Sequence, residues 1–266
     1  MTHPAETFRA LHVKGDPFIL ANVWDLGTAK MMQAMGAKAL ATSSAAHAFT
    51  LGKPDGVTRD EALSHAADIL SVAKVPVQGD FENGFGDDPD TCAETVRLAA
   101  EIGLAGICIE DIALPDNTAY DCDIAIERIK AAASAAKALP NDFVLTARAD
   151  GILRGQYDTD EAIARLQGFE AAGADCLYAP IPPDMEALAK IVSATNAPVN
   201  ALVAGPYTAQ TVSDFGKIGV ARISLGSSLA RIAHRVMYDA ATEMFETGSF
   251  NALGHSIGGK IDRLLT

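Results

Sequence analysis

The sequence predicts an α/β fold, a (β/α)8 TIM barrel in a single domain, and three observations carry the prediction. Eight short apolar runs alternate with stretches of helical period from one end of the chain to the other. Glycines stand two or three residues ahead of several of these runs, where a helix must close in a left-handed turn. Polar residues collect just after the runs, on the rim where barrel enzymes keep their chemistry.

The elements follow in order. The first fifteen residues precede the pattern and are expected to form an extra helix. The strands then read FILANVW (18–24), KALATSS (38–44), VPVQGDF (75–81), AGICIED (105–111), FVLTARA (143–149), DCLYAPI (175–181), PVNALVA (198–204) and ARISLGS (221–227). Strands apolar on both faces and joined through helices imply a parallel sheet covered on both sides, and eight such units favour closure over an open sheet. Thr58 with Glu61 forms a capping box, Asp88 caps a helix that opens on Pro89, and Asp158 caps one with Glu161 in its first turn. Gly36, Gly103, Gly173 and Gly219 each end a helix before a strand. After the eighth strand the stretch SSLARIAHRVMYDAATEMFETGSF is helical. The region from about residue 228 to 266 is expected to pack on, or be exchanged with, another subunit.

Composition bounds the function. Hydrophobic residues make up 49% of the 266 and charged ones 21%, enough for a large core. A net charge of −13 with no basic patch excludes nucleic acid and anionic membrane surfaces as partners. The N-terminus carries neither a signal-like pattern nor an apolar run near 20 residues, so the expectation is a cytoplasmic protein acting on a small molecule. Cys92, Cys108, Cys122 and Cys176 form no C-x-x-C pair and read as reduced thiols.

The strand ends deliver Trp24 and Asp25, Ser43 and Ser44, Asp80 and Glu82, Glu110 and Asp111, Arg148 and Asp150, and Gly226, Ser227 and Ser228 to one rim. In VQGDFENGFGDDPD, helix capping accounts for Asp87, Asp88 and Asp90. Asp80 and Glu82 alternate with Phe81, so both are expected to point into the barrel mouth, where Glu110 arrives from the next strand. Two readings stand: structural partners, or a site for a hard divalent cation that relieves the repulsion of three carboxylates. Arg148 is either an ion-pair partner for these acids or a fork for a substrate carboxylate or a developing oxyanion.

The segments NVWD, TSSAAHAFTLGKPDG, GDFENGFGD, GICIED and LTARAD stand in the order and spacing of the isocitrate lyase and phosphoenolpyruvate mutase superfamily, and the chain resembles that superfamily over about residues 15–245. The D-x-D-x-G-[YF]-G pattern stands here as Asp80-Phe81-Glu82-Asn83-Gly84-Phe85-Gly86, with Glu in place of the second Asp. The resemblance implies a barrel that assembles as a homo-oligomer, a dimer or tetramer with C-terminal helices exchanged. It also implies a Mg2+ ion, with Mn2+ as the alternative, holding an α-oxo or α-hydroxy carboxylate. By the same resemblance Asp80 is the metal ligand, and Asp55, Glu82 and Glu110 are the acids around the ion and its waters. Ser43 and Ser44 bind the substrate carboxylate with Trp24 nearby, and Arg148 faces the forming enolate oxygen.

Departures from the superfamily patterns shape the expected reaction. The K-[KR]-C-G-H loop of the lyases is replaced by IALPDNTAYDCD, and Cys122 lies about four residues late with no basic neighbours or histidine. The mutase lysine is absent after Pro115, and Pro180 stands where tricarboxylate lyases carry a glutamate. The leading expectation is a Mg2+-dependent lyase or decarboxylase that cleaves a C–C bond beside the carboxylate through an enolate-like intermediate. Arg148 and Glu110 are its catalytic residues, and Tyr120 stands in for the missing acid or base. Phosphonate C–P chemistry and a non-catalytic oxo-acid-binding barrel are the alternatives. The loop from Asp111 to Asp123 is the expected lid.

Overall fold

The computed structural model describes residues 3–266. Ten strands form: β1 Phe18–Asn22, β2 Ala39–Ala41, β3 Val77–Asp80, β4 Gly106–Glu110, β5 Ile112–Ala113, β6 Thr118–Ala119, β7 Val144–Arg148, β8 Cys176–Tyr178, β9 Val199–Leu202 and β10 Arg222–Ser224. All but β5 and β6 pair in parallel and close into a barrel in the order β1-β10-β9-β8-β7-β4-β3-β2. Each of these eight lies inside one of the expected apolar runs. The chain is thus a TIM barrel. The hairpin β5–β6 was not expected; it sits inside the segment read as a lid.

Helix ends obey the local signals. Thr58 and Glu61 exchange a reciprocal capping box, Asp88 accepts from the Asp90 N–H, and Asp158 accepts from the Asp160 and Glu161 N–H groups. Gly36, Gly103, Gly173 and Gly219 all take positive φ, from 87° to 105°. At Gly106 the constraint is close approach, because a Cβ there would lie 2.2 Å from the Val144 carbonyl oxygen across the β4–β7 pair.

The barrel interior corrects the expectation of strands apolar on both faces. Its outward faces pack with the helices into the large apolar core that includes Leu40, Ile107, Ile109, Leu145, Leu177 and Ile223. Inside, the lower mouth is closed by Phe8 of the N-terminal helix Pro4–Ala10, packed with Phe18, Leu20 and Val144. Next to this plug lies a polar layer. Arg222, 1% exposed, donates to Asn200 Oδ1 at 2.9 Å, Gln78 Oε1 at 2.7 Å and Thr146 Oγ1 at 3.2 Å. It also meets His12 Nε2 at 3.2 Å, while His12 Nδ1 lies 2.8 Å from the Phe8 carbonyl. The ring is therefore neutral, donating from Nδ1 and accepting at Nε2. Burial and the Arg222 charge push its pKa down to about 3.

Helix Ser228–Thr247 buries only Ala230 and exposes Ile232, Val236, Met237, Tyr238 and Phe245. The last helix, Gly258–Leu264, returns to the barrel, where Lys30 Nζ donates to the Leu265 carbonyl at 2.8 Å. Among the described residues no helix is long and apolar enough to cross a membrane.

Candidate active site

Strand register assembles the site. In the β3–β4 pair Asp80 lies opposite Cys108, in β4–β7 Glu110 lies opposite Arg148, and in β7–β8 Arg148 lies opposite Tyr178. Three neighbouring strands therefore end with Glu110, Arg148 and Tyr178 at one level of the C-terminal rim, beside a cavity of about 1240 Å³. Ser43, Ser44, Asp55, Asp80 and Glu82 also line it.

Asp80 is held from two sides. Its backbone N–H donates to Thr42 Oγ1 at 2.8 Å, and its Oδ2 accepts from the Ser44 N–H at 3.0 Å and the Ser44 hydroxyl at 3.1 Å. Oδ1 is left facing the cavity, 4.0 Å from Arg148 Nη1. Ser44, expected on a substrate carboxylate, is thus engaged in orienting Asp80. Ser43 caps helix Ser44–Thr50 by accepting from the Ala46 N–H.

Glu82 reaches the cavity by a different route from the one expected. Strand β3 ends at Asp80, and Glu82 sits in a left-handed turn at φ 44° rather than in continued alternation. Its Oε1 accepts from the Val57 N–H at 3.3 Å, linking it to the loop that carries Asp55. Burial, then the charge of Asp80, push its pKa up to about 7, and Asp55 adds to the rise. Glu110 is more enclosed. Burial pushes its carboxyl up to about 8, with Asp150 and Asp80 adding to the rise, while Arg148 Nη1 at 3.1 Å pulls the other way.

Arg148 is clamped by Asp150, whose Oδ1 lies 2.6 Å from both Nε and Nη2. The Tyr178 ring centroid stands 5.3 Å from its guanidinium carbon. Asp150 is wholly buried, and its backbone N–H donates to Asp111 Oδ1 at 2.7 Å. Asp111, which also takes Tyr157 and Arg165, is an anchor for the rim and no part of the cavity wall.

Two expected site residues are not brought to the cavity. Tyr120 donates to Asp87 Oδ1 at 2.5 Å, accepts from Asn83 Nδ2 at 2.9 Å and lies under the Arg128 guanidinium, outside the cavity walls. It follows the short strand β6, which pairs back onto β5, and the tyrosine that lines the cavity is Tyr178. Trp24 is also off the wall. Its backbone N–H donates to Thr28 Oγ1 at 3.2 Å and its backbone carbonyl lies 2.9 Å from His65 Nε2. Cys122 opens helix Cys122–Lys137 and lines no part of the cavity.

Sequence reasoning missed two residues that shape the rim. Arg128, 1% exposed, lies in helix Cys122–Lys137 and donates to the carbonyls of Asn83, Gly86, Asp87 and Glu110, so it holds the turn after β3 against β4. Asn22 accepts from the Leu225 and Gly226 N–H groups at 2.8 and 3.0 Å and sets the turn after β10 against β1. An asparagine inside the apolar run FILANVW was the one available signal; Arg128 sits in an ordinary charged helix sequence and had none.

The donor set fits a hard divalent cation. All candidate ligands are oxygens, burial and then the charge of neighbouring acids raise the Glu82 and Glu110 carboxyls, and Asp80 Oδ1 lies on the cavity side of its Ser44 clamp. Among the described residues no three acidic, His or Cys side chains form a ready-made cage. A small ion that takes one or two carboxylates and keeps several waters suits that arrangement, whereas one needing an all-protein cage does not.

Comparison with known proteins gives a consistent picture. Residues 8–245 match the family model described as phosphoenolpyruvate phosphomutase. An uncharacterized protein of Mycobacterium tuberculosis is 36% identical over 224 residues, covering 83% of this chain and 82% of that protein. The 2-methylisocitrate lyase of Escherichia coli K12 is 30% identical over 206 residues, 74% of this chain and 68% of its own. An oxaloacetate decarboxylase of Pseudomonas putida is 26% identical over 241 residues, covering 87% and 81%. A crystal structure from Burkholderia cenocepacia J2315, described only by class as a lyase/mutase, superposes with a TM-score of 0.94 at 45% identity and covers 98% of this chain and 94% of that one.

Proposed function

The chain belongs to the phosphoenolpyruvate phosphomutase family, and from that premise we propose that it is a Mg2+-dependent lyase or decarboxylase cleaving a C–C bond beside an α-oxo or α-hydroxy carboxylate. The observation that carries this reading is the convergence of Asp80, Glu82, Glu110 and Arg148 on one rim cavity. The names of two relatives, a 2-methylisocitrate lyase and an oxaloacetate decarboxylase, support C–C rather than C–P chemistry.

Asp80 would hold the cation through Oδ1, since Ser44 fixes the other oxygen. Asp55, Glu82 and Glu110 on the same cavity wall would surround the ion. When bound, a divalent cation supplies Lewis-acid stabilisation of negative charge on the substrate oxygens. Arg148 presents Nη1 toward Asp80 and Glu110, so it donates to the oxygen on which charge develops as the bond breaks. Its other face is locked by Asp150, so little reorganisation is needed at that moment. Leu114 and Pro115, in the tip of the β5–β6 hairpin, edge the cavity and limit water entry. The exposed face of helix Ser228–Thr247 is covered by a second copy of the chain in this reading, as the family resemblance implies.

Proton NMR of the purified protein with pooled 2-oxo and 2-hydroxy acids, in Mg2+ and then in EDTA, tests the reaction. A metal-dependent product is expected, and Asp80→Ala is expected to abolish turnover and metal-dependent oxalate binding together. Undiminished turnover in that variant would refute the assignment. Oxalate binding without turnover of any pooled acid would favour a binding protein.

A further inference from the structure

At the rim, two arginines share one buried carboxylate. Asp150, wholly buried, takes Arg148 on Oδ1 at 2.6 Å and Arg154 Nε on Oδ2 at 3.1 Å. Arg154 ends the short helix Gly151–Arg154, four residues after Asp150, and the chain turns away at Gly155 with φ 67°. Its side chain lines the cavity and is 30% exposed.

The two guanidinium groups are not equivalent. Arg148 is engaged on both edges, by Asp150 and by Glu110. Arg154 is engaged only at Nε; no other hydrogen bond or ion pair among the described residues takes its terminal nitrogens. Arg148 has Glu110 as a second carboxylate partner, whereas Arg154 has Asp150 alone and shares it. A planar fork, fixed at its root and open at its tip, is suited to a carboxylate. Arg59, the remaining cation on the cavity wall, has no carboxylate clamp among the described residues.

We propose that Arg154 is a specificity-determining residue that receives a second, distal carboxylate of the substrate, so that the site selects dicarboxylic over monocarboxylic 2-oxo and 2-hydroxy acids. The proposal rests on the reading of the cavity as an oxo-acid or hydroxy-acid site. Asp150 is the positioning residue behind it. The same carboxylate that locks Arg148 for the reacting end also orients Arg154 for the distal end, so the spacing between the two ends of the substrate is set by one buried side chain. Discrimination is expected to be strong, because an analogue lacking the distal carboxylate leaves a half-buried charged fork unpaired.

Titration calorimetry in Mg2+ with malate and lactate tests this, since the two acids differ only by the distal carboxylate. Oxalate, which has no distal group, reports on the metal end. The wild type is expected to bind one malate enantiomer at least tenfold tighter than the matching lactate. Arg154→Gln is expected to bring that ratio to within about threefold of unity with oxalate affinity nearly unchanged, Arg154→Lys to fall between, and Arg59→Gln to keep the ratio. A wild type that does not favour malate, or an unchanged ratio in Arg154→Gln, would overturn the assignment. Equal losses for malate, lactate and oxalate would also overturn it, by pointing to a structural role. Absence of EDTA-sensitive oxalate binding in the wild type would instead refute the underlying metal-site reading.

Discussion

Replacing Arg128 by Met should loosen the rim from behind, since Arg128 lines no part of the cavity but holds the backbone of Asn83, Gly86, Asp87 and Glu110, which do. The guanidinium donates to Asp87 O at 3.0 Å, to Gly86 O at 2.7 Å, to Asn83 O at short range and weakly to Glu110 O at 3.4 Å. It has no carboxylate ion-pair partner among the described residues, so four carbonyl dipoles and the Tyr120 face, 4.0 Å away, compensate its burial. A hydrogen bond to a charged group contributes about 1.5–3 kcal/mol net. Three good bonds that share one donor group do not add fully. Taking the lower figure for each, and allowing the methionine to refill part of the volume, the loss is about 4 kcal/mol, a large share of a typical domain's stability of about 5–15 kcal/mol. Arg128→Lys keeps the charge but not the fork, and should lose about 2 kcal/mol. Equilibrium urea unfolding measures both, and hydrogen exchange should show faster opening at Gly84, Phe85 and Glu110. A methionine variant within about 1 kcal/mol of wild type, with protection over residues 82–87 unchanged, would refute the reasoning.

Other perturbations separate the remaining causes. His12 is neutral in the folded state with a pKa near 3, below the 6.5 of the unfolded chain, so the unfolded state takes up the proton first. Its contribution is complete above pH 6.5 and is lost as pH falls toward 3; between pH 6.5 and 5 the loss is about 2 kcal/mol. The difference in urea stability between wild type and His12→Gln across that window should show it, and parallel curves would remove His12 as the cause. Gly106→Ala should cost about 3 kcal/mol or more, because its Cβ has only 2.2 Å to the Val144 oxygen, and an unshifted thermal midpoint would contradict the β4–β7 register. Val236→Asp with Phe245→Asp should convert an oligomer into monomers on light scattering; a wild type that is itself monomeric would remove the proposed subunit contact.

Periodicity and turn chemistry are local properties, and the sequence by itself determined what depends on them. Each barrel strand lies within its apolar run, and Thr58, Asp88 and Asp158 cap the helices they were expected to cap, because an N-cap competes only with its own first turn. The rim acids and Arg148 were legible for the same reason, since the barrel rule turns a strand end into a location. Three matters needed the tertiary structure. The barrel interior is polar because Gln78, Thr146, Asn200 and Arg222 come from four strands and satisfy one another only after closure. Tyr120 stands behind the cavity wall rather than on it, because the residue that follows the pairing of Ile112–Ala113 with Thr118–Ala119 is held by Asn83 and Asp87, which do line the cavity. Arg128 and the double use of Asp150 were invisible because their partners lie on other elements or on the far side of a turn. A side chain's hydrogen bonds follow from distances in space, and the sequence orders those distances only within a few residues.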